Sequence, residues 1–246
     1  MSILNAVLLS LVAGLATGIG GLIVALLGDL DMRAYDGMLG FAAGVMTAVA
    51  TLGLVSEAMA RGSLPTVIVG ILAGALALFA FDRLLPHEHE PLSFECRNPI
   101  AYRRGLMLLA AMTLHNFPEG LAVGTGYSAD SRLGLLLAVA IALHNIPEGV
   151  AIAGPFRACG MPRRQYVLWA AGSGMAEPIA ALLGALAVSF FRPVLPFSLA
   201  FAGGAMLYVV SDELIPESHS HGFEHQATAG FVLGFVLLVM LTSVMG

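Results

Sequence analysis

The strongest constraint in this 246-residue sequence is a series of eight long apolar stretches separated by short segments rich in charges, glycine or proline. A bilayer's hydrocarbon core is roughly 30 Å thick and needs about 20 apolar residues per helical crossing. Hydrophobic residues make up 58% of the chain and charged residues only 11%, which is too apolar for a soluble globule. We therefore predict an all-α integral membrane protein, a single domain over 1–246, with eight transmembrane helices at about 3–27, 35–60, 64–85, 100–127, 132–157, 164–190, 195–217 and 227–245.

The arginines predict how these helices are oriented, because positive charge accumulates in cytoplasmic loops. All eleven basic residues are arginines. If the N-terminus lies outside, the inner loops and their flanks hold eight of them, and the outer connections hold only Arg61, Arg132 and Arg192. We therefore predict that both termini lie outside, which agrees with an even number of spans.

Charge and cysteine usage exclude two other classes of protein. The net charge is −5 and no basic patch is large enough to collect phosphates, which argues against a nucleic-acid partner. The two cysteines, Cys96 and Cys159, lie far apart and form no CxxC pair. We interpret them as unpaired thiols rather than a disulfide framework.

A seven-residue motif occurs twice, as LHNFPEG at 114–120 in the fourth span and LHNIPEG at 143–149 in the fifth. A match with one substitution is hard to attribute to composition. A weaker repeat relates FAAGVM at 41–46 to FAGGAM at 201–206, and the same offset of 160 aligns Glu57 with Glu217. The second and seventh spans run in opposite directions, so this pattern indicates an inverted repeat. Three helices at each end of the chain then flank a central pair, a 3+2+3 arrangement typical of secondary transporters.

Several ionisable residues lie within or at the margins of the predicted spans. They are the acids Glu57, Glu119, Glu148, Glu177, Asp212, Glu213 and Glu217, and the histidines His115 and His144. One charge at the bilayer centre costs roughly 2.5–3.5 kcal/mol on the insertion scale. The chain has no lysine and every arginine is near a predicted helix end, so we expect protons or metal cations to neutralise the acids.

The repeated motif places ligand-type side chains on one helix face. Residues four apart share a face, as His115 and Glu119 do, and the second copy repeats the pattern with His144 and Glu148. Two such helices in contact bring together two imidazoles and two carboxylates, which suits Zn²⁺, Fe²⁺, Co²⁺ or Mn²⁺. Asn116 and Asn145 lie on the flank of that face, three residues before the two glutamates. Each Glu is then between a His and an Asn, and its two oxygens could bridge two neighbouring ions.

Prolines accompany four of the acids. Pro118, Pro147, Pro178 and Pro216 adjoin Glu119, Glu148, Glu177 and Glu217. A mid-helix proline frees the carbonyl four residues earlier, and in a membrane such a carbonyl survives only where it lines a cavity or meets a ligand. The pattern predicts a polar site with locally broken backbone on four helices.

The remaining candidates carry two interpretations each. Glu177 is a metal ligand or a lone proton-carrying acid. The acids nearer helix ends are gate or entry residues or plain interfacial charges, namely Glu57, Asp212, Glu213 and Glu217. The loop histidines hold metal weakly or are merely solvated, namely His87, His89, His219 and His221. If the loop histidines bind, they lie where an ion entering the cytoplasm would emerge.

The doubled HNxPEG motif, the acidic-proline sixth span and the eight helices resemble the ZIP (Zrt/Irt-like) family of metal transporters, most closely its bacterial ZupT-like members. The resemblance implies uptake of Zn²⁺, and in broad-range members Fe²⁺, Mn²⁺, Co²⁺ or Cd²⁺, across the bacterial inner membrane. It implies a primary site of His115, Glu119 and Glu148 with His144 close by, and a second site of Asn116, Asn145 and Glu177. It also implies alternating access by sliding of the central helices, and a homodimer.

The sequence departs from this family in two places. Some members carry an acid where Asn145 stands, which would leave the second site here less anionic. The loop after the third span also lacks the long His-rich tract of many eukaryotic members.

We therefore expect a transporter in which the metal is cargo and no prosthetic group is present. The ion would enter from outside and leave past Glu217 and the loop histidines. One alternative is an intramembrane metalloenzyme, but the HExxH pattern is missing and no Ser or Cys nucleophile is evident. A second is a proton-coupled carrier of organic solutes, which would need an intramembrane Arg or an aromatic pocket.

Overall fold

The computed structural model describes residues 2–28, 30–84 and 98–245, and eight of its helices are long and apolar enough to cross a membrane. We number them α1 Ile3–Leu27, α2 Met32–Arg61, α3 Leu64–Leu84, α4 Pro99–Ala129, α5 Ser131–Cys159, α6 Arg163–Phe190, α7 Arg192–Ser218 and α8 Glu224–Met245. Helix is the only regular secondary structure in these ranges. The predicted fold class is confirmed, and the helix boundaries differ from prediction by a turn or less.

Short polar residues and glycines set the ends of the helices. Asp31 caps α2 by accepting a hydrogen bond from the Arg33 amide, and Asp130 accepts bonds from the first turn of α5. Gly160 ends α5 with a φ of 90°, in the left-handed region where glycine is favoured. These local signals set where the helices begin and end.

Two helices contain π-helical segments, at Val49–Val55 in α2 and Val210–Leu214 in α7. Adding the repeat offset of 160 to the first range gives 209–215, so the two distortions occupy equivalent positions. The π segment of α7 carries Asp212 and Glu213. Such bulges occur frequently at functional sites.

The prediction of broken backbone beside four prolines is confirmed at two of them. Helix α6 is interrupted between Ser173 and Ala176, shortly before Pro178, and the π segment of α7 ends shortly before Pro216. The prediction is wrong at Pro118 and Pro147, where α4 and α5 continue unbroken. A proline removes a single backbone hydrogen bond, and the turns on either side hold these long helices together.

The eight helices pack as two groups of four. Helices α1, α4, α5 and α6 form one group, which we call the site group; in it α1 packs on α5, α4 packs on α6, and each pair contacts the other. Helices α2, α3, α7 and α8 form the flanking group, in which α2 packs along α8 and α3 along α7. The groups meet mainly where α2 contacts α5 and α7 contacts α4. The first helices of the two terminal triplets, α1 and α6, therefore pack with the central pair, α4 and α5.

The inverted repeat pairs α1 with α6, α2 with α7, α3 with α8 and α4 with α5. Exchanging each helix with its partner leaves these helix contacts unchanged, as an inverted repeat requires. The pair α1 and α5 becomes α6 and α4, and the pair α2 and α8 becomes α7 and α3. Glycines mark the same relationship, because a Cβ at Gly44 would overlap the Phe231 carbonyl and one at Gly204 would overlap that of Ile71. The repeat thus extends well beyond the six residues visible in the sequence.

The end of the bundle at which α1 ends and α2 begins carries Arg33, Arg104, Arg157 and Arg163, and we call it the arginine-rich end. Cys159 lies there and is disulfide-bonded, so the interpretation as an unpaired thiol was wrong. Separation along the sequence does not limit which residues meet in space.

Candidate metal site

The two copies of the repeated motif meet at the contact between α4 and α5. His115, Glu119 and Glu148 each offer a ligand atom, and these three atoms lie within 4.8 Å of one another. Nε2 of His115 is 3.8 Å from Oε1 of Glu148. Each of the three residues is at most 1% exposed, so the cluster is closed to solvent.

His144 completes the cluster from the second copy of the motif. Its Nε2 lies 2.7 Å from Oε1 of Glu119 and 3.9 Å from Oε1 of Glu148. Its Nδ1 lies 3.1 Å from the carbonyl oxygen of Ala140, which fixes the ring orientation. The predicted meeting of two imidazoles and two carboxylates is therefore present.

Four atoms of the cluster are buried without a hydrogen-bond partner among the described residues: Nε2 of His115, Oε2 of Glu119, and both carboxylate oxygens of Glu148. Buried polar atoms are normally paired, and leaving a carboxylate unpaired is costly. Imidazole nitrogen and carboxylate oxygen are ligands of divalent transition metals. The cluster can hold such an ion.

The residues predicted to form a second site lie on the α6 side of the cluster. Nδ2 of Asn145 donates hydrogen bonds to Oε1 of Glu177 at 2.6 Å and to the Ala13 carbonyl at 2.9 Å. Oε2 of Glu177 is buried without a described partner, as are Oδ1 of Asn145 and both polar atoms of the Asn116 side chain. The three oxygens among these atoms, on Glu177, Asn145 and Asn116, can serve as metal ligands.

Glycines bring the backbones of these helices close enough for the side chains to meet. A Cβ at Gly120 on α4 would overlap the carbonyl oxygen of Glu177, and one at Gly149 on α5 would overlap that of Thr17. Thr17 and Glu177 differ by the repeat offset of 160. The inverted repeat therefore provides two equivalent places beside the central pair, and an acid occupies only one.

Glu213 connects this buried cluster to a more exposed region. Its Oε2 lies 3.4 Å from Nδ1 of His115, while its side chain is 29% exposed. Asp212 instead accepts a hydrogen bond from the Tyr208 hydroxyl at 3.4 Å, and Nδ1 of His219 lies 2.9 Å from the Ile215 carbonyl. Among these candidates, Glu213 alone contacts the cluster.

Two of the acids are neutralised by arginine, contrary to the prediction from sequence. Glu57 pairs with Arg61 one turn later on α2, and Glu217 pairs with Arg104 of α4 at 2.7 Å. Both arginines lie near helix ends, but a long side chain reaches an acid that is also near a helix end. The expectation of proton or metal neutralisation remains for Glu119, Glu148 and Glu177.

Asp36 is a buried acid that is not among the site residues predicted from the sequence. It lies in the second turn of α2, is fully buried, and its Oδ1 is 2.8 Å from Nδ1 of His221. An acid near a helix N-terminus is usually a solvated charge, and only its spacing among the apolar residues of α2 marks it as inward-facing. His87 and His89 lie outside the described residues.

The comparisons with known proteins agree with this arrangement. Residues 97–242, which contain the whole cluster, match the family described as ZIP zinc transporter. The chain is 42% identical to the zinc transporter GufA of Myxococcus xanthus, covering 96% of this chain and 97% of that protein. It is 38% identical to the zinc transporter ZIPB of Bordetella bronchiseptica, covering 94% and 78%, and 36% identical to the zinc transporter ZupT of Corynebacterium glutamicum, covering 94% and 95%. With its repeated motifs joined in one buried cluster, the chain belongs to the ZIP zinc transporter family.

Proposed function

We propose that this protein carries divalent transition-metal ions, with Zn²⁺ as its main cargo, through the membrane into the cytoplasm. The observation that carries the proposal is the buried cluster of His115, Glu119 and Glu148, with four polar atoms that have no described partner. The names of the relatives support Zn²⁺, and mixed nitrogen and oxygen ligation extends the range to Fe²⁺, Mn²⁺, Co²⁺ and Cd²⁺.

In this proposal His115, Glu119 and Glu148 form the primary site and His144 holds Glu119 in position. Asn116, Asn145 and Glu177 form an adjacent second site. A transport site must bind its ion weakly enough to release it, and carboxylate and imidazole ligands suit that better than a closed thiolate site.

The proposed movement is a displacement of the site group relative to the flanking group, with 1–246 acting as one transporter domain. The contacts between the groups are limited mainly to α2 with α5 and α4 with α7, which favours relative motion there. The arginine-rich end is the cytoplasmic end in this proposal, both termini lie outside, and the membrane is the bacterial inner membrane. An ion leaving the primary site passes Glu213, which already contacts His115.

The alternative of an intramembrane metalloenzyme is set aside. The family is one of transporters and not of enzymes. A carboxylate and imidazole cluster without a described nucleophile beside it suits binding and release.

Binding of Co²⁺ by the purified protein tests the site assignment. Co²⁺ takes the same ligand types as Zn²⁺ and reports its coordination through visible absorption. We expect a saturable spectrum that Zn²⁺ displaces and that is lost in both His115→Ala and Glu148→Gln. Asp212→Asn, which changes an acid that makes no described contact with the cluster, is the control. A spectrum that survives both site substitutions would refute the assignment.

A further inference from the structure

A second cluster of charged side chains lies at the arginine-rich end. Nη2 of Arg104 is 2.7 Å from Oε1 of Glu217 and 3.1 Å from Nε2 of His221. Nδ1 of His221 in turn is 2.8 Å from Oδ1 of Asp36. We call these four residues the Arg104 cluster. Arg104 belongs to the site group, whereas the other three lie on α2, on α7 or between α7 and α8.

The contacts of His221 determine where its proton lies. A guanidinium nitrogen can only donate a hydrogen bond, so Nε2 of His221 must accept from Arg104. Nδ1 then carries the proton and donates a hydrogen bond to Oδ1 of Asp36. His221 thus has a carboxylate hydrogen-bonded to one ring nitrogen and a cation at the other. A metal-ligating histidine is arranged in the same way, with a carboxylate that supports it from the far side of the ring.

The surroundings of Asp36 require a positive charge nearby. Asp36 is fully buried, and its Oδ2 has no described hydrogen-bond partner. A buried carboxylate without compensating charge is strongly unfavourable. Arg104, which is bonded to the His221 ring that contacts Asp36, supplies that charge.

Arg104 therefore occupies a place suited to a metal cation. Its Nη2 lies between a carboxylate oxygen and an imidazole nitrogen lone pair, the two kinds of ligand atom found in the primary site. A divalent ion interacts more strongly with the two carboxylates than a singly charged guanidinium does. If a divalent metal ion replaces the Arg104 guanidinium, the buried Asp36 carboxylate still has a positive charge nearby.

The Arg104 cluster also lies where a departing ion would pass. Glu217 is one helical turn beyond Glu213, which contacts His115 of the primary site. A cavity of about 410 Å³ adjoins the cluster, and its lining includes Arg104, Arg157 and His221. This cavity gives the displaced Arg104 side chain and a hydrated ion room to move.

We propose that Glu217 and His221, supported by Asp36, form a further binding position for the transported divalent cation, and that Arg104 keeps this position closed until the cation replaces it. The proposal rests on the proposed function for the source of the ion. Because Arg104 bridges the two helix groups, its displacement also releases a contact that holds the groups together at this end.

The test first disables the primary site, so that its result does not depend on that site. In a Glu119→Gln and Glu148→Gln background, Arg104→Gln is compared with Arg103→Gln, which changes the neighbouring exposed arginine. Equilibrium dialysis of the purified full-length chain against radioactive Zn²⁺ counts the bound ions, and thermal unfolding verifies that each variant is folded.

We expect Arg104→Gln to bind an additional equivalent of Zn²⁺ relative to Arg103→Gln, and we expect His221→Ala to remove that gain. Equal binding by the two arginine variants, or a gain that survives His221→Ala, would overturn the proposal. Wild-type protein that shows no uptake while the gain is present would instead refute the proposed function alone.

A second measurement decides the matter if Arg104→Gln does not fold. In proteoliposomes with the primary site intact, His221→Ala should lower the maximal Zn²⁺ uptake rate several-fold with little change in KM, because it impairs a step after binding. His225→Ala, which changes a histidine at the start of α8, is the control. An uptake rate for His221→Ala equal to that of the control would contradict the proposal.

Discussion

Oε1 of Glu119 on α4 lies 2.7 Å from Nε2 of His144 on α5, so one residue of each repeated motif is bonded to the other across the helix pair. The contact leaves the second carboxylate oxygen of Glu119 without a described partner. His144 therefore orients an acid that lies beside the ligand atoms of His115 and Glu148 and that keeps one oxygen free.

We expect His144→Ala to weaken metal binding without abolishing it. Groups that orient a metal ligand typically contribute about 10–100-fold in affinity, so KM for Zn²⁺ uptake should rise by about that factor while the protein remains folded. His219→Ala is the control, because that histidine contacts Ser218 and the Ile215 carbonyl. An unchanged KM would contradict the orienting role, and a complete loss of uptake would make His144 a primary ligand.

We expect Gly120→Ala to destabilise the protein. The added Cβ overlaps the backbone carbonyl of Glu177, so α4 and α6 must separate, and such overpacking costs about 1–3 kcal/mol. The Tm in detergent should fall. Gly172→Ala is the matched control on α6, where a Cβ meets nothing within 4 Å and alanine is the better helix former. Equal Tm values for the two variants would refute the close packing at Gly120.

Asn145→Asp should make stability depend on metal. The substitution removes the amide that donates to Glu177 at 2.6 Å and places two buried carboxylates side by side. Without metal their repulsion should lower the Tm, and Zn²⁺ should restore it by more than it shifts the wild-type Tm. Asn145→Ala should lower the Tm without an enhanced response to Zn²⁺. A response to Zn²⁺ no larger than that of the wild type would argue against a second ion beside Glu177.

Accessibility of single cysteines checks the predicted orientation. With Cys96 and Cys159 replaced by serine, Ser2→Cys should react with a membrane-impermeant maleimide in intact cells. Ser220→Cys, at the arginine-rich end, should react only after the cells are permeabilised. The reverse pattern would place both termini in the cytoplasm.

The helices and the primary cluster were predictable because their signals are local. A bilayer demands a long apolar run for each crossing, so each span is visible in its own residues. The i,i+4 spacing of His115 and Glu119 likewise fixes a shared helix face, and the second copy of the motif repeats it. That α4 and α5 then meet follows from the need to pair buried polar groups.

The relationships that could not be predicted from the sequence are contacts between residues that lie far apart along the chain. Glycines such as Gly14 and Gly174, whose backbones meet between α1 and α6, do not stand out among many others. The pairing of Arg104 with Glu217 joins two helix ends that are far apart in the chain, and the burial of Asp36 depends on packing against neighbouring helices. The π segments have no reliable local signature. All of these emerge only from the packing of complete helices.

The most direct test of the account is Zn²⁺ uptake into proteoliposomes that contain the purified protein, with Fe²⁺, Mn²⁺, Co²⁺ and Mg²⁺ compared and Glu119→Ala as the matched variant. We predict saturable entry of Zn²⁺ and other transition metals, with little entry of Mg²⁺, and loss of this entry in Glu119→Ala although that variant inserts and folds. Undiminished Zn²⁺ entry through Glu119→Ala, or no flux of any ion through folded wild-type protein, would contradict this prediction.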